Sequence, residues 1–237
     1  ASIIDGCRLS RAAIKVFPHR DVSAAERILE ELDAETGRKL LITDGVFSMD
    51  GDIGRLDQLV PLAEKYGAIM MVDDAHSSGV LGANGRGTVD HFGLHGRVQI
   101  QVGTLSKAIG ALGGYVCGSR DLIDYLYHRA RPFLFSTSHP PAVTAACLAA
   151  FDLLIAEPER VQTLWDNTNY FKQLLKQEGF DTGLSETPIV PIIVGDTKAA
   201  MDYSRALFDE GLWATGIGFP TVPQGKARIR TIVTATH

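Results

Sequence analysis

A lysine stands just beyond an apolar run in the segment Val98–Lys107, VQIQVGTLSK. At the mouth of a buried strand an amine loses part of its hydration, which lowers its pKa and makes it nucleophilic. Such an amine forms a Schiff base with an aldehyde cofactor. Thr104, three residues before Lys107, offers a hydroxyl to a phosphate, and Gly110, Gly113 and Gly114 permit close backbone approach. A lone lysine in such a loop is more often a solvated surface group, but a second cluster shifts the balance. Val72-Asp-Asp-Ala-His76 closes the run AIMMVD. A carboxylate there can hold a pyridinium N–H by a charge-assisted hydrogen bond, keeping the ring protonated as an electron sink. An imidazole three residues on can bond a ring hydroxyl or pack on the ring. Adjacent strand residues face opposite sides, so one of the two aspartates is expected to reach it, and Asp73 has the better spacing to His76. The plainer reading makes both aspartates turn formers.

Two rival chemistries fit less well. A Walker-B-like reading of IMMVDD needs a GxxxxGK[ST] loop, which the chain lacks. A hydrolytic zinc site needs a second histidine at ligand spacing from His76, and none is nearby, so no metal is expected. A third polar group is Gly225-Lys-Ala-Arg-Ile-Arg230. Arg228 and Arg230 alternate, so on a strand they share a face, and arginine suits an amino-acid carboxylate. Taken alone, that pair also reads as a solvated basic strand.

These residues need elements to position them. Apolar runs predict strands at Lys39–Phe47, Ala68–Asp73, Val98–Val102 and Gly114–Cys117. Helical stripes fall between them. Ser23-Ala-Ala-Glu26 has capping-box spacing before Ala25, Ile28, Leu29 and Leu32, and Leu56, Leu59, Val60 and Ala63 end before a C-capping Gly67. Alternation of this kind predicts an α/β fold with a mostly parallel sheet covered on both faces. Ligands of such sheets gather at the carboxyl ends of the strands, where Ser48, Asp73, His76, Thr104 and Lys107 all fall. Beyond Pro132 the sequence predicts helices at Pro141–Ala156, Arg160–Gln177 and Lys198–Asp209, and strands at Ile189–Val194, Leu212–Thr215 and Arg228–Val233. The expected division is residues 1–140 for a large unit and 141–237 for connecting helices with a smaller α+β unit.

Composition sets the class. With 237 residues, 45% hydrophobic and 22% charged, the chain has ample material for a core. A net charge of -5 argues against a nucleic-acid partner. Cys7, Cys117 and Cys147 are odd in number and widely spaced, so no disulfide framework is implied and a reducing cytoplasm is expected. The longest apolar stretch, Ala142–Ala156, is interrupted by Thr144 and Asp152 and falls short of the ~20 residues a bilayer requires, so no membrane association is expected. The opening residues ASIIDGCRLSR lack the apolar core of a signal peptide.

Taken together, Asp73-Asp-Ala-His76, Gly103-Thr-Leu-Ser-Lys107, Phe135-Ser-Thr-Ser138 and Ala227-Arg-Ile-Arg230 resemble the α-oxoamine synthases. These are fold-type-I pyridoxal-phosphate enzymes that condense an amino acid with an acyl-CoA. FSMDGDIGRL, GANGRGTVDHFG, RPFLFSTSHPPA and VPQGKARIRT look most like the glycine C-acetyltransferase branch, which joins glycine to acetyl-CoA. The alternative branch, 8-amino-7-oxononanoate synthase, takes alanine and a pimeloyl thioester and loses carbon dioxide. A non-catalytic, truncated remnant is the alternative from another class.

The resemblance implies that Lys107 is the Schiff-base lysine and the base that removes an α-proton. It implies that Asp73 pairs with the pyridine nitrogen, Ser48 and His76 lie by the ring hydroxyl, and Thr104 binds the phosphate. Ser136 and Thr137 would reach the phosphate of a neighbouring subunit's cofactor, which implies a homodimer with shared sites. Arg230 would hold the substrate carboxylate. Family members are longer at both ends and carry Asn-His before the segment that opens here as ASIIDG. The chain is therefore expected to be a piece, or the ordered part, of a longer protein.

Overall fold

A computed structural model describes residues 2–237. In chain order it begins with helices α1 (Ser2–Ser10) and α2 (Val22–Glu31), strand β1 (Leu40–Asp44), helix α3 (Leu56–Lys65) and strand β2 (Ile69–Asp73). A short α4 (Thr88–His91) leads to β3 (Ile100–Thr104) and β4 (Gly114–Gly118). The strands lie in the order β1-β2-β3-β4, parallel except for β4, which runs antiparallel to β3. The first three of the four expected apolar runs thus become neighbouring parallel strands that end at one edge of the sheet.

The sheet is held to its helices by α3. Residues three and four apart, Leu56, Leu59, Val60 and Ala63, form its buried stripe and meet Met70 and Val72 of β2 in the core. Leu56, Val60, Met70 and Val72 are fully buried, each contributing about 1.5–3 kcal/mol of transfer free energy. Helix α2 adds Ala25 and Leu29 to this core. Its N-cap is Asp21, whose carboxylate accepts from the Ala24 N–H at 2.8 Å. The expected cap at Ser23 therefore lies one turn-start too late, because the aspartate two residues earlier already satisfies the free N–H groups. Gly67, at φ +60, follows α3 as expected.

After β4 come α5 (Arg120–Arg129), α6 (Arg131–Leu134), α7 (Pro141–Ala156) and α8 (Glu159–Gln177). Then follow β5 (Ile189–Gly195), α9 (Thr197–Asp209), β6 (Thr215–Ile217) and β7 (Ala227–Ile232). β5, β7 and β6 form a second, antiparallel sheet with β7 in the middle. Val190, Ile229, Ala227 and Ala200 of α9 pack in its own core. β6 begins where the predicted Leu212–Thr215 strand ends, since Leu212 and Trp213 are exposed. Helices α1 and α5 were not predicted, and neither buries a residue. α7 is apolar on every side yet buries Cys147 alone.

The two sheets are tied together at the start of β5. The Thr187 hydroxyl donates to the Gly51 carbonyl at 2.8 Å, and the Ile53 N–H donates to Glu186 at 3.0 Å. Trp165 of α8 donates its indole N–H to the Val80 carbonyl at 2.8 Å. Val46, Ile53, Leu81 and Ile189 fill the space beneath these bonds. Among the described residues no single helix is long and apolar enough to cross a membrane.

Candidate active site

Register decides which polar groups meet. Asp44 at the end of β1 stands beside Asp73 at the end of β2, and Asp73 stands beside Val102 of β3. β3 continues to Thr104, and Lys107 follows in a tight loop closed by a hydrogen bond from the Gly110 N–H to the Lys107 carbonyl at 2.9 Å. From the second sheet, β7 carries Arg230 over this edge, where its Nη1 donates to the Ser48 carbonyl at 3.2 Å.

Electrostatics report the convergence. Burial pushes the Lys107 amine below its ordinary pKa; Asp73 and Asp44 oppose that shift, and Arg230 adds to it. His76 falls to about 4, first through burial and then through the nearby Lys107 and Arg230 cations, so it is neutral near pH 7. Burial also lowers Arg230, whose Nε is buried without a protein partner among the described residues. Asp44 rises to about 6, through burial and then the charge of Asp73. Lys107, Asp73, His76 and Ser48 therefore gather at one edge, and Arg230, which the strand-end argument did not include, joins them from the second sheet.

Thr104 lies at the same edge but is partly occupied. Its hydroxyl donates to the Gly113 carbonyl at 3.1 Å, accepts from the Ser106 N–H at 3.3 Å and lies 2.9 Å from the Ser106 hydroxyl. Gly113, at φ +114, leaves room for the His139 ring, which a side chain there would strike. Ser136 and Thr137, just before that histidine, are exposed and make no hydrogen bond to the cluster. The structure does not bring them into the Lys107 group of their own chain.

Neighbouring residues of the same type divide their work. Asp74 is buried; it accepts from the Ser77 hydroxyl at 2.5 Å and from the Thr88 N–H at 3.1 Å. Gly45 packs against this carboxylate and the Thr88 hydroxyl so closely that a methyl group would overlap both. Asp73, by contrast, is half-buried, and among the described residues its carboxylate accepts only from the Ala75 N–H, at 2.9 Å. Arg228 is buried and spends its donors on the Met49 carbonyl at 2.8 Å and the Asp50 carboxylate at 2.6 Å. It fixes the loop that carries Ser48, leaving Arg230 as the arginine with a donor to spare.

Sequence reasoning missed Asp44 and Ser106. Asp44 had a signal, since it ends its strand as Asp73 does. His19 and Asp52 were missed too: the His19 ring lies 2.7 Å from Asp52 and Arg20 bonds the same carboxylate at 3.1 Å. His19, Asp50 and Asp52 offer atoms within 4.8 Å of one another. Their negative charge is already met by Arg20 and Arg228. A cavity of about 750 Å³, lined by Ile53, Leu81, Trp165 and Glu186 among others, includes none of the Lys107 group.

The family model described as aminotransferase class I and II matches residues 1–237. The chain belongs to the class I and II aminotransferase family. It is 64% identical over 237 residues to the 8-amino-7-oxononanoate synthase of Symbiobacterium thermophilum, covering all of this chain and 60% of that protein. A high-resolution structure of SPT with a PLP internal aldimine superimposes with a TM-score of 0.95 at 35% identity, over 100% of this chain and 60% of that one. The 8-amino-7-oxononanoate synthase of Francisella tularensis gives a TM-score of 0.84 at 29% identity, over 100% and 68%. The chain thus spans about 60% of the length of the curated relatives it matches. Its fold is that of the fold-type-I transferases, and its relatives lie among the α-oxoamine synthases, as the motifs implied. The finer expectation is corrected: these relatives bear the name of the alternative branch, not of glycine C-acetyltransferase.

Proposed function

We propose that this chain carries the lysine site of a pyridoxal-5′-phosphate-dependent 8-amino-7-oxononanoate synthase, which joins alanine to a pimeloyl thioester and releases carbon dioxide and the thiol. The convergence of Asp73, His76 and Arg230 on Lys107 carries this reading. The donor set suits the cofactor: an amine for the aldehyde, a carboxylate for a protonated ring nitrogen, and hydroxyls for a phosphate. When bound, the cofactor supplies an electron sink for the pair left on the amino acid's α-carbon when a bond there breaks.

The protein residues do the rest. Lys107, with its amine below the ordinary lysine range, has a larger neutral fraction for nucleophilic attack and for taking the α-proton. Asp73 accepts the ring N–H in a charge-assisted bond. His76, neutral at pH 7, and Ser48 bond the ring hydroxyl without adding charge. Thr104 and its neighbour Ser106 present hydroxyls to the phosphate. Arg230 holds the substrate carboxylate through its Nε, which has no partner among the described residues, and so orients the bond to be broken. Ser136 and Thr137, exposed here, serve the phosphate of a second subunit in a homodimer.

The names of the relatives favour alanine and a pimeloyl thioester over glycine and acetyl-CoA. The test is borohydride reduction with pyridoxal 5′-phosphate, followed by peptide mass spectrometry and product analysis with each substrate pair. The expected result is a reduced adduct on Lys107, lost in Lys107→Ala, and product from alanine with the pimeloyl thioester. Product from glycine and acetyl-CoA alone returns the chain to the other branch. An adduct without turnover of either pair identifies a binding fragment.

A further inference from the structure

Asp44 has no role in the reading above, yet it faces the site. β1 and β2 run parallel with Asp44 in register beside Asp73, and the Gly45 N–H still donates to the Asp73 carbonyl at 2.8 Å where the strands end. Residues in register on parallel strands project to the same face, with backbones about 4.8 Å apart. The backbone carbonyl of Asp44 accepts from the Thr43 hydroxyl at 3.1 Å, but no protein hydrogen bond reaches its carboxylate among the described residues. The charged and titratable side chains facing it are Asp73 from β2, Lys107 from the loop after β3 and His19 from the segment before α2. Two carboxylates side by side in a half-buried site repel, and a proton on one relieves the repulsion.

We propose that Asp44 is a positioning residue of the Lys107 site: paired in register with Asp73, its carboxyl group sets how much negative charge faces the Lys107 amine. This rests on the reading of Lys107 as the reactive amine. Burial and Asp73 raise the Asp44 carboxyl to about 6, against the pull of nearby positive charge, Lys107 and His19 included. In turn Asp73 and Asp44 both support the Lys107 ammonium against burial and Arg230. In its ionised form Asp44 supports that ammonium. Removing its charge therefore destabilises the ammonium and lowers the amine's pKa.

The test follows the pH dependence of trace acetylation of Lys107 by acetic anhydride, read by peptide mass spectrometry on the cofactor-free chain. Asp44→Asn should lower the apparent pKa of Lys107 by at least about half a unit, roughly threefold in its ionisation constant. Asp44→Glu should restore it, which a merely structural role would not predict. In wild-type protein, carbon-13 spectra should show an aspartate carboxyl titrating near pH 6 that vanishes in Asp44→Asn. An unmoved Lys107 pKa in a folded Asp44→Asn protein overturns the proposal. So does a wild-type spectrum with no carboxyl titrating between about pH 5 and 7, a result that needs no variant to fold. Failure of the underlying function registers separately, as a Lys107 that pyridoxal 5′-phosphate and borohydride leave unmodified.

Discussion

Arg230 donates from Nη1 to the Ser48 carbonyl, 182 residues away in sequence, and its buried Nε has no protein acceptor among the described residues. One hydrogen bond fixes the guanidinium; the free donor is what a carboxylate ligand would take. Lysine cannot reproduce that fork. Arg230→Lys should cost about 2–3 kcal/mol in kcat/KM for the amino acid while leaving cofactor binding near wild type. Arg228→Lys should act elsewhere, lowering stability because the Asp50 and Met49 contacts weaken. Steady-state kinetics and denaturant unfolding of both variants separate the roles, and an unchanged KM in Arg230→Lys removes the carboxylate assignment.

The adjacent aspartates should separate in the same way. Asp74→Ala strips the Ser77 and Thr88 bonds from a buried position and should destabilise the fold by about 2–3 kcal/mol. Asp73→Asn should leave the melting temperature almost unchanged but weaken pyridoxal-phosphate binding and slow turnover by orders of magnitude. Calorimetry paired with a cofactor titration checks both. The opposite pattern would exchange their roles.

His76 makes a pH prediction. Its pKa of about 4 in the folded chain lies below the ordinary 6.5, so the unfolded chain binds the proton first. Its stabilising contribution is full above pH 6.5 and is lost as pH falls through 6.5 towards 4. Discounted for partial exposure, the loss is about 1–2 kcal/mol. Urea unfolding of wild type and His76→Gln at pH 7.5 and pH 4.5 should show a smaller acid-side decline in the variant, by about that amount. Parallel declines would contradict the shift.

If Ser136 and Thr137 complete a second subunit's site, inactive parents should complement each other. Lys107→Ala mixed with Ser136→Ala/Thr137→Ala should, after subunit exchange, regain activity above either parent. Mixtures that exchange but stay inactive would put these hydroxyls outside the shared site.

Much of the site was legible because strand ends are. An apolar run stopping at Asp73 or just before Thr104 states both where the strand ends and which polar group it presents. Asp44 escaped because its run, KLLITDGVF, continues past the aspartate into Val46 and Phe47, which read as more strand. The antiparallel turn of β4 is invisible in an apolar run, since direction depends on the connection. Alternation placed Arg228 and Arg230 on one face but could not say which was free. That depends on Met49 and Asp50, some 180 residues away, reaching Arg228 first. Helices α1 and α5 went unread although each is amphipathic, and neither packs a face into a core.

The bare flank of α7 governs how the chain behaves in the tube. Leu148 and Ile155 are 62% and 76% exposed on a helix whose other faces are no more polar. Free energy falls whenever such surfaces meet and release their water, by roughly 25 cal/mol per Å² of apolar area covered. Self-association should therefore strengthen with protein concentration and with sulfate, which reinforces burial of apolar surface. Its melting temperature is then a function of dilution, because any copy that covers the helix stabilises the folded state by mass action.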